Sequence, residues 1–241
     1  MEHVISVDNM RESDKTTIES GVPSLVLMRR AAEGIRGAYS YSGSTAVVVG
    51  SGNNGGDGFA LAEILASEGK PVSVFSVSDH YSEDSTYYMN KCLELGVPVV
   101  QFLPGSGMLQ GFDTVVDCLL GTGFSGEVRG KYRDAINEIN DSFAFVISAD
   151  INSGMNGDTG EYLLAVKSDI TVTIGYYKTG LVRAELRRDP AIGALVCTDI
   201  GIGLVREENY LLSDQEWLDN ELPPELEKFD PGDGHIRFRR V

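Results

Sequence analysis

The sequence predicts an α/β fold whose parallel sheet is covered by helices on both faces. Three observations carry this reading. From residue 44 onward, apolar strand-like runs alternate with helical patterns. The strand runs are almost continuously apolar, as strands buried on both faces are. Glycine is 28 of 241 residues, about 12% against a typical ~7%, and its excess falls in loops directly after predicted strands.

The elements follow in order. Residues 1–20 are polar and offer only a short amphipathic helix with Val7 and Met10 on one side. The stretch 24–35 is a stronger helix: Ser24 stands where a cap belongs, and Leu25, Met28, Ala32 and Ile35 share a face. Thr45 to Gly50 is the first strand of the alternating region, followed by a helix over about 58–68. Residues 71–76 form the next strand and 83–95 the next helix. The run 97–102 contains Pro98, which cannot donate to a ladder, so its strand starts after the proline or lies at a sheet edge. Strands follow at 112–120, 143–149, 170–174 and 194–198, with a helix at 130–140 carrying Tyr132, Ile136 and Ile139 on one face. No repeat is present. The folded region spans 1–205. After that the pattern of strands is lost, and the breaker clusters Leu222-Pro223-Pro224 and Asp230-Pro231-Gly232 mark 206–241 as an acidic tail or linker.

The formal net charge is -16. A surface this negative repels nucleic acid and anionic membranes. It also repels a phosphorylated ligand at long range, so such a ligand needs local help from helix N-termini or a cation. Arg237, Arg239 and Arg240 read as a solvated basic tail. Cys92, Cys118 and Cys197 are widely spaced without a C-x-x-C, as buried thiols of a reducing compartment are. No leader pattern or membrane-length apolar run is seen. A soluble, cytoplasmic protein is expected.

The segment Gly50-Ser51-Gly52-Asn53-Asn54-Gly55-Gly56-Asp57-Gly58 follows the first of these strands and precedes a helical pattern. Glycines there let the backbone approach a ligand and take φ > 0, and the first helical amides point at an anion. The match to G-x-G-x-x-G is by itself weak. Two more rich loops, 118–127 and 150–158, also follow strands. If the strands at 45–50 and 113–118 flank the point where strand order reverses, the three loops converge on one site. Asp117 sits in an apolar run, so it accepts backbone amides or, with Asn54 and Ser153, supplies oxygens to a hard cation. Zinc is disfavoured, because His3, His80 and His235 are remote from any cysteine pair. Asp57 caps its helix or contacts a ribose hydroxyl. Asp150 is an Asx-turn residue or a general acid/base. Thr122, Ser125 and Glu127 bind ligand or shape the turn. Lys178 is a phosphate lysine or a structural one.

Gly52 to Gly58, Asp117 with Gly121-Thr122-Gly123, and Asp150-Ile151-Asn152-Ser153-Gly154 together resemble the NAD(P)H-hydrate epimerases, the YjeF N-terminal domain family. Residues 166–173 and Leu27-Met28 add to the likeness, which covers roughly 3–205. The resemblance implies a Rossmann-like three-layer sandwich with a mostly parallel central sheet. It implies an isomerase that interconverts the R and S forms of NADHX and NADPHX, hydrated at C6 of the nicotinamide ring. It further implies a K+ ion held by Asn54, Asp117 and Ser153, and Asp150 as the catalytic acid/base. Substrate contacts would come from Asn53, Asn54, Gly55, Gly56 and Asp57, from Gly121, Thr122, Gly123, Phe124, Ser125, Gly126 and Glu127, and from Asp150. Water would leave C6 to give a planar iminium and return to either face, or the ring would open and reclose. A separate ADP- or ATP-dependent dehydratase is the implied pathway partner, and a homodimer is an assembly the resemblance allows. The kinase-like dehydratase domain of many bacterial members is absent, so the chain is a single-domain member or a piece of a longer one. Asn152 departs from the family's common proline, which puts the stiffness of that turn in question, and Ala32 stands where glycine is frequent. Two other classes stay open. A non-catalytic nucleotide-binding or interaction module of the same fold would be expected to have lost Asp150 or the asparagine pair. An NAD(P)-dependent oxidoreductase expects an acid ~20 residues after the glycines, where Ser76 and Ser78 stand and Asp79 comes slightly late.

Overall fold

The computed structural model describes residues 2–211, 226–229 and 237–240. Its centre is a seven-stranded sheet: β2 (Thr45–Val49), β3 (Val72–Ser76), β4 (Val99–Gln101), β5 (Thr114–Cys118), β6 (Phe145–Ala149), β7 (Ile170–Ile174) and β9 (Ala194–Thr198). The order is β4-β3-β2-β5-β6-β7-β9, and every neighbouring pair is parallel. Strand order reverses between β2 and β5, at the predicted position. β4 begins after Pro98 and is also an edge strand, so both ways of accommodating that proline hold.

β2 is Thr-Ala-Val-Val-Val, rich in β-branched side chains, and all five residues are buried because helices cover both faces. Alternation along the strand divides two cores. Val47 and Val49, with Val116 and Cys118, pack against α2 (Ser24–Gly37), α3 (Asn53–Ser67) and α4 (Glu83–Glu94). Ala46, Val48 and Val115 pack against Ile136 and Ile139 of α5 (Gly130–Asn140). The result is a three-layer α/β sandwich. Ser24 does not cap α2. Pro23 occupies that position, and no side chain closes the helix end.

The glycine segment differs from its sequence reading in two ways. The helix starts at Asn53 rather than 58, so most of the segment is the first turn of α3. None of its glycines has positive φ; Gly50, Gly55, Gly56 and Gly58 are required for space, whereas a Cβ on Gly52 would meet nothing. A Cβ on Gly55 would lie 2.2 Å from the Gly50 carbonyl oxygen, and one on Gly58 2.8 Å from both Cys118 Cβ and Val49 Cγ1. The cost of glycine in a helix, roughly 1 kcal/mol relative to alanine, is accepted where α3 presses on the sheet. Gly55→Ala is therefore expected to destabilise, by about 1–3 kcal/mol for overpacking, as a lowered urea midpoint.

Six elements escape the periodicity reading. β1 (Glu2–Ile5) pairs in parallel with β8 (Tyr177–Lys178), and α6 (Thr179–Leu186) follows β8. β10 (Asn209–Leu211) joins β1 from the other side, antiparallel. Between them, α1 (Val7–Glu19) buries a largely polar face. Asn9 Nδ2 donates to the Arg206 carbonyl at 2.7 Å, Ser13 Oγ accepts from Val205 N at 3.1 Å and Thr17 Oγ1 from Gly203 N at 3.0 Å. The segment 203–208 thus runs along α1 and satisfies it by hydrogen bonds. Further on, β11 (Leu226–Phe229) pairs antiparallel with β12 (Arg237–Arg240), which carries the basic cluster. The breaker clusters at 222–224 and 230–232 fall outside or at the margin of the described residues. No helix among the described residues is long and apolar enough to cross a membrane.

Candidate active site

A cavity of about 580 Å³ opens at the carboxyl ends of β2, β5 and β6, at the switch point where open parallel sheets bind ligands. Asn53, Asn54 and Asp57 line it from α3, Gly121 to Ser125 from the loop after β5, and Asp150 from the end of β6. Four other residues expected to bind substrate lie outside this lining. Gly55 and Gly56 are buried against Gly50 and against Met28 and Ser85. Gly126 has φ 95° and shapes the turn, and Glu127 pairs with Arg129 at 2.9 Å.

Asp150 is held from three directions. Its own backbone has φ 67°, a left-handed conformation that aspartate tolerates better than most residues. Its amide donates to the Val172 carbonyl at 2.8 Å. Its Oδ2 accepts from Thr122 N at 3.1 Å, and its Oδ1 lies 2.6 Å from Lys178 Nζ. Lys178 is fully buried and also donates to Thr173 Oγ1 at 3.1 Å and the Ile174 carbonyl at 2.5 Å. All three ammonium donors are used. Lys178 is therefore a structural lysine that serves the site, placed there by the β1–β8 pairing. A lysine directly before a helix, in Tyr-Tyr-Lys-Thr-Gly, was the only signal for it.

The turn around Asn152 is stiff despite the missing proline. Asn152 is fully buried. Its Nδ2 donates to Ala191 O, Ser168 Oγ and Val166 O at 2.7, 2.9 and 3.1 Å, and its Oδ1 accepts from Thr171 Oγ1 at 2.7 Å. Side-chain hydrogen bonds replace the ring's constraint.

Asp117 is buried, and both carboxylate oxygens are occupied. Oδ1 accepts from Ser153 Oγ at 2.6 Å and Leu119 N at 3.1 Å; Oδ2 accepts from Ser153 N at 2.9 Å and Ser148 Oγ at 3.1 Å. Burial pushes its proton affinity up, and these four donors oppose the shift. Asn54 Nδ2 and Ser153 Oγ both reach the Leu120 carbonyl, at 3.1 and 3.2 Å. The Asn54 side chain is buried, yet its Oδ1 has no hydrogen-bond partner among the described residues. Asn54 Oδ1 is thus an orphaned buried oxygen in a region of oxygen donors, and an all-oxygen set of this kind fits a hard cation.

Two more carboxylates face the cavity. Asp57 is the fifth residue of α3, inside the helix and not its cap. Burial pushes it well above the ordinary carboxylate range, and the Asp150 and Asp14 charges add to the shift. Asp14 of α1 also lines the cavity and is raised by burial and by Asp150, against the lowering effect of Lys178. Asp14 was missed in the sequence, because nothing local shows that the Met10–Asp14–Ile18 side of its helix faces the cavity. A raised folded-state value means that, above the ordinary carboxylate range, the folded protein binds more protons than the unfolded chain. Stability then falls as pH rises through that window. Asp57→Asn removes this loss. The variant is expected to melt at a higher temperature than wild type near pH 7.5, with the gain shrinking toward pH 4, in thermal melts without ligand.

A parallel sheet with a glycine-bearing helix at the switch point, and an ion-paired carboxylate in the cavity there, defines a Rossmann-like α/β protein with its candidate site at the carboxyl ends of the strands. The chain belongs to the YjeF N-terminal domain family: the model for the YjeF-related protein N-terminus matches residues 24–180. It is 38% identical to the NAD(P)H-hydrate epimerase of Limosilactobacillus fermentum, over 75% of this chain and 89% of that one. It is 37% identical to that of Lentilactobacillus buchneri, over 84% and 96%. A bifunctional NAD(P)H-hydrate repair enzyme of Archaeoglobus fulgidus is 36% identical over 82% of this chain and 41% of its own length. Among solved structures, the yeast protein ynu0 aligns with a TM-score of 0.66 at 22% identity, over 73% of this chain and 82% of that one, which bears out the fold.

Proposed function

We propose that this protein is an NAD(P)H-hydrate epimerase that interconverts the R and S forms of NADHX and NADPHX. The observation that carries the reading is Asp150, ion-paired to Lys178 at the floor of the glycine-loop cavity, in a chain aligned along most of its length with named epimerases. The C6 carbon of the substrate bears a hydroxyl beside the ring nitrogen. Proton transfer at that hydroxyl lets the nitrogen lone pair expel water and leaves a planar iminium, to which water adds again. Asp150 handles the proton. Thr122 N and Lys178 fix its carboxylate, and the free amides of Asn53 and Asn54 at the start of α3 face the substrate's phosphates. The residues Asn54, Asp117 and Ser153 hold K+, which supplies positive charge near those phosphates in an acidic protein. The protein works in the cytoplasm beside a separate ADP- or ATP-dependent dehydratase, whose fused form the bifunctional relative's name suggests. A homodimer is the assembly to test by sedimentation.

The test is chiral chromatography of purified R or S hydrate with and without the protein in potassium buffer. Faster approach to the epimer equilibrium than in the blank is expected; a time course identical to the blank overturns the reading. A second measurement checks the cation. Potassium is expected to raise the melting temperature of wild type relative to an organic cation at equal ionic strength, and Asn54→Ala is expected to abolish that difference.

A further inference from the structure

We propose that Asp14 is a second acid/base of the epimerisation, serving the ring face opposite to Asp150. The inference rests on the epimerase reading and deepens it.

The chemistry poses the problem. R and S hydrates differ only in which face of the ring carries the hydroxyl. A route through a planar iminium releases water from one face and must accept it on the other. One carboxylate serves both faces only if the ring turns over within the cavity. Two carboxylates on different walls need no such motion.

The structure supplies the second group. Met10, Asp14 and Ile18 are spaced by four residues along α1, and all three line the cavity, so one stripe of the helix faces it. A carboxylate between two apolar side chains is costly to place unless it has a partner. Asp14 has no side-chain hydrogen bond or ion pair among the described residues, whereas Asp150 has both. Asp150 comes from the end of a sheet strand and Asp14 from a helix outside the sheet. Burial and the Asp150 charge shift Asp14 toward the neutral form, the one able to donate, against the opposing charge of Lys178. The cavity thus presents two carboxyl groups from different elements, Asp150 ion-paired to Lys178 and Asp14 without such a pair, as acid–base work on two faces of one ring requires. Asp57 shares the α3 wall with Asn54, the ribose and phosphate side in the reading above.

The step balances. Neutral Asp14 protonates the C6 hydroxyl on its face; the C6–O bond breaks, water leaves, and the nitrogen lone pair forms the C=N bond. Water on the other face then bonds to C6 and gives its proton to the Asp150 carboxylate, while the C=N electrons return to nitrogen. The enzyme ends with the two protonation states exchanged. That form is ready for the opposite conversion, or it resets through solvent.

The experiment incubates each pure epimer in H2-18O with wild type, Asp14→Asn and Asp150→Asn, and follows inversion and label at C6 separately. In Asp14→Asn, inversion is expected to fall by about 10²–10⁴-fold. Only one epimer, the one whose hydroxyl faces Asp150, should still exchange its oxygen with retention. In Asp150→Asn the other epimer should be the one that exchanges. Inversion at the wild-type rate in Asp14→Asn overturns the proposal, as does loss of exchange from both epimers in a variant that melts like wild type. If Asp14→Asn fails to fold, Asp14→Ser takes its place with the same outcomes, and Asp14→Glu is expected to recover part of the inversion. Failure of wild type to invert either epimer sinks the epimerase reading instead, and is told apart by that control.

Discussion

Asp150→Asn is expected to slow epimer exchange by about 10²–10⁴-fold while the protein stays folded. The amide keeps the shape of the side chain and an oxygen able to accept from Thr122 N, but it cannot take or give the proton. Lys178 loses its counter-charge and keeps Thr173 Oγ1 and the Ile174 carbonyl as acceptors, so stability drops without unfolding. The measurement is the rate of interconversion of a pure epimer, with circular dichroism to establish the fold. An unchanged rate removes Asp150 from the chemistry.

Lys178→Met is expected to have the largest effect on stability. Both partners of the Lys178–Asp150 pair are buried, the lysine entirely. Removing one partner of such a pair typically costs ~3–5 kcal/mol, because the other charge is left uncompensated. Denaturant unfolding of the single and double variants tests this. The cost for Lys178→Met with Asp150→Asn together should be clearly smaller than the sum of the two single costs. Strict additivity would mean that the two side chains do not interact in solution as they do at 2.6 Å in the structure.

Most of the central sheet was legible because its signals are local. Ile170–Ile174 and Ala194–Thr198 fall on their expected bounds, since an apolar run flanked by polar residues leaves little choice of register. The switch point was legible because alternating strands and helices admit few topologies. In the N-terminal region the helix with Val7 and Met10 on its inner side was legible, but β1 and the helix's polar contacts were not, for an equally physical reason. Beside Val7 and Met10, the buried face of α1 presents Asn9, Ser13 and Thr17, and these are satisfied by backbone groups nearly two hundred residues away. No periodicity of hydrophobic residues announces polar contacts of that kind. Asp14 was hidden with them. Lys178 was hidden because β8 is two residues long and owes its place to β1. The glycines were found by pattern but misread in mechanism. Their spacing is visible in sequence, whereas the closeness of Gly55 to the Gly50 carbonyl, which leaves no room for a Cβ, exists only once the turn into α3 is folded.

The pairing of Ile5 with Lys178 has a consequence for the order in which the molecule is made. A ribosome adding about 5–20 residues per second exposes β1 on the order of ten seconds before β8 exists. Throughout that time the first strand has neither parallel neighbour nor, until Asn209–Leu211 emerges, an antiparallel one. The glycine-rich end of the sheet can form early, with its empty nucleotide cradle, but the lysine that holds Asp150 arrives late and is anchored by the oldest segment of the chain. A nascent protein therefore passes through a stage in which the cradle is built and the proton-handling group is still loose.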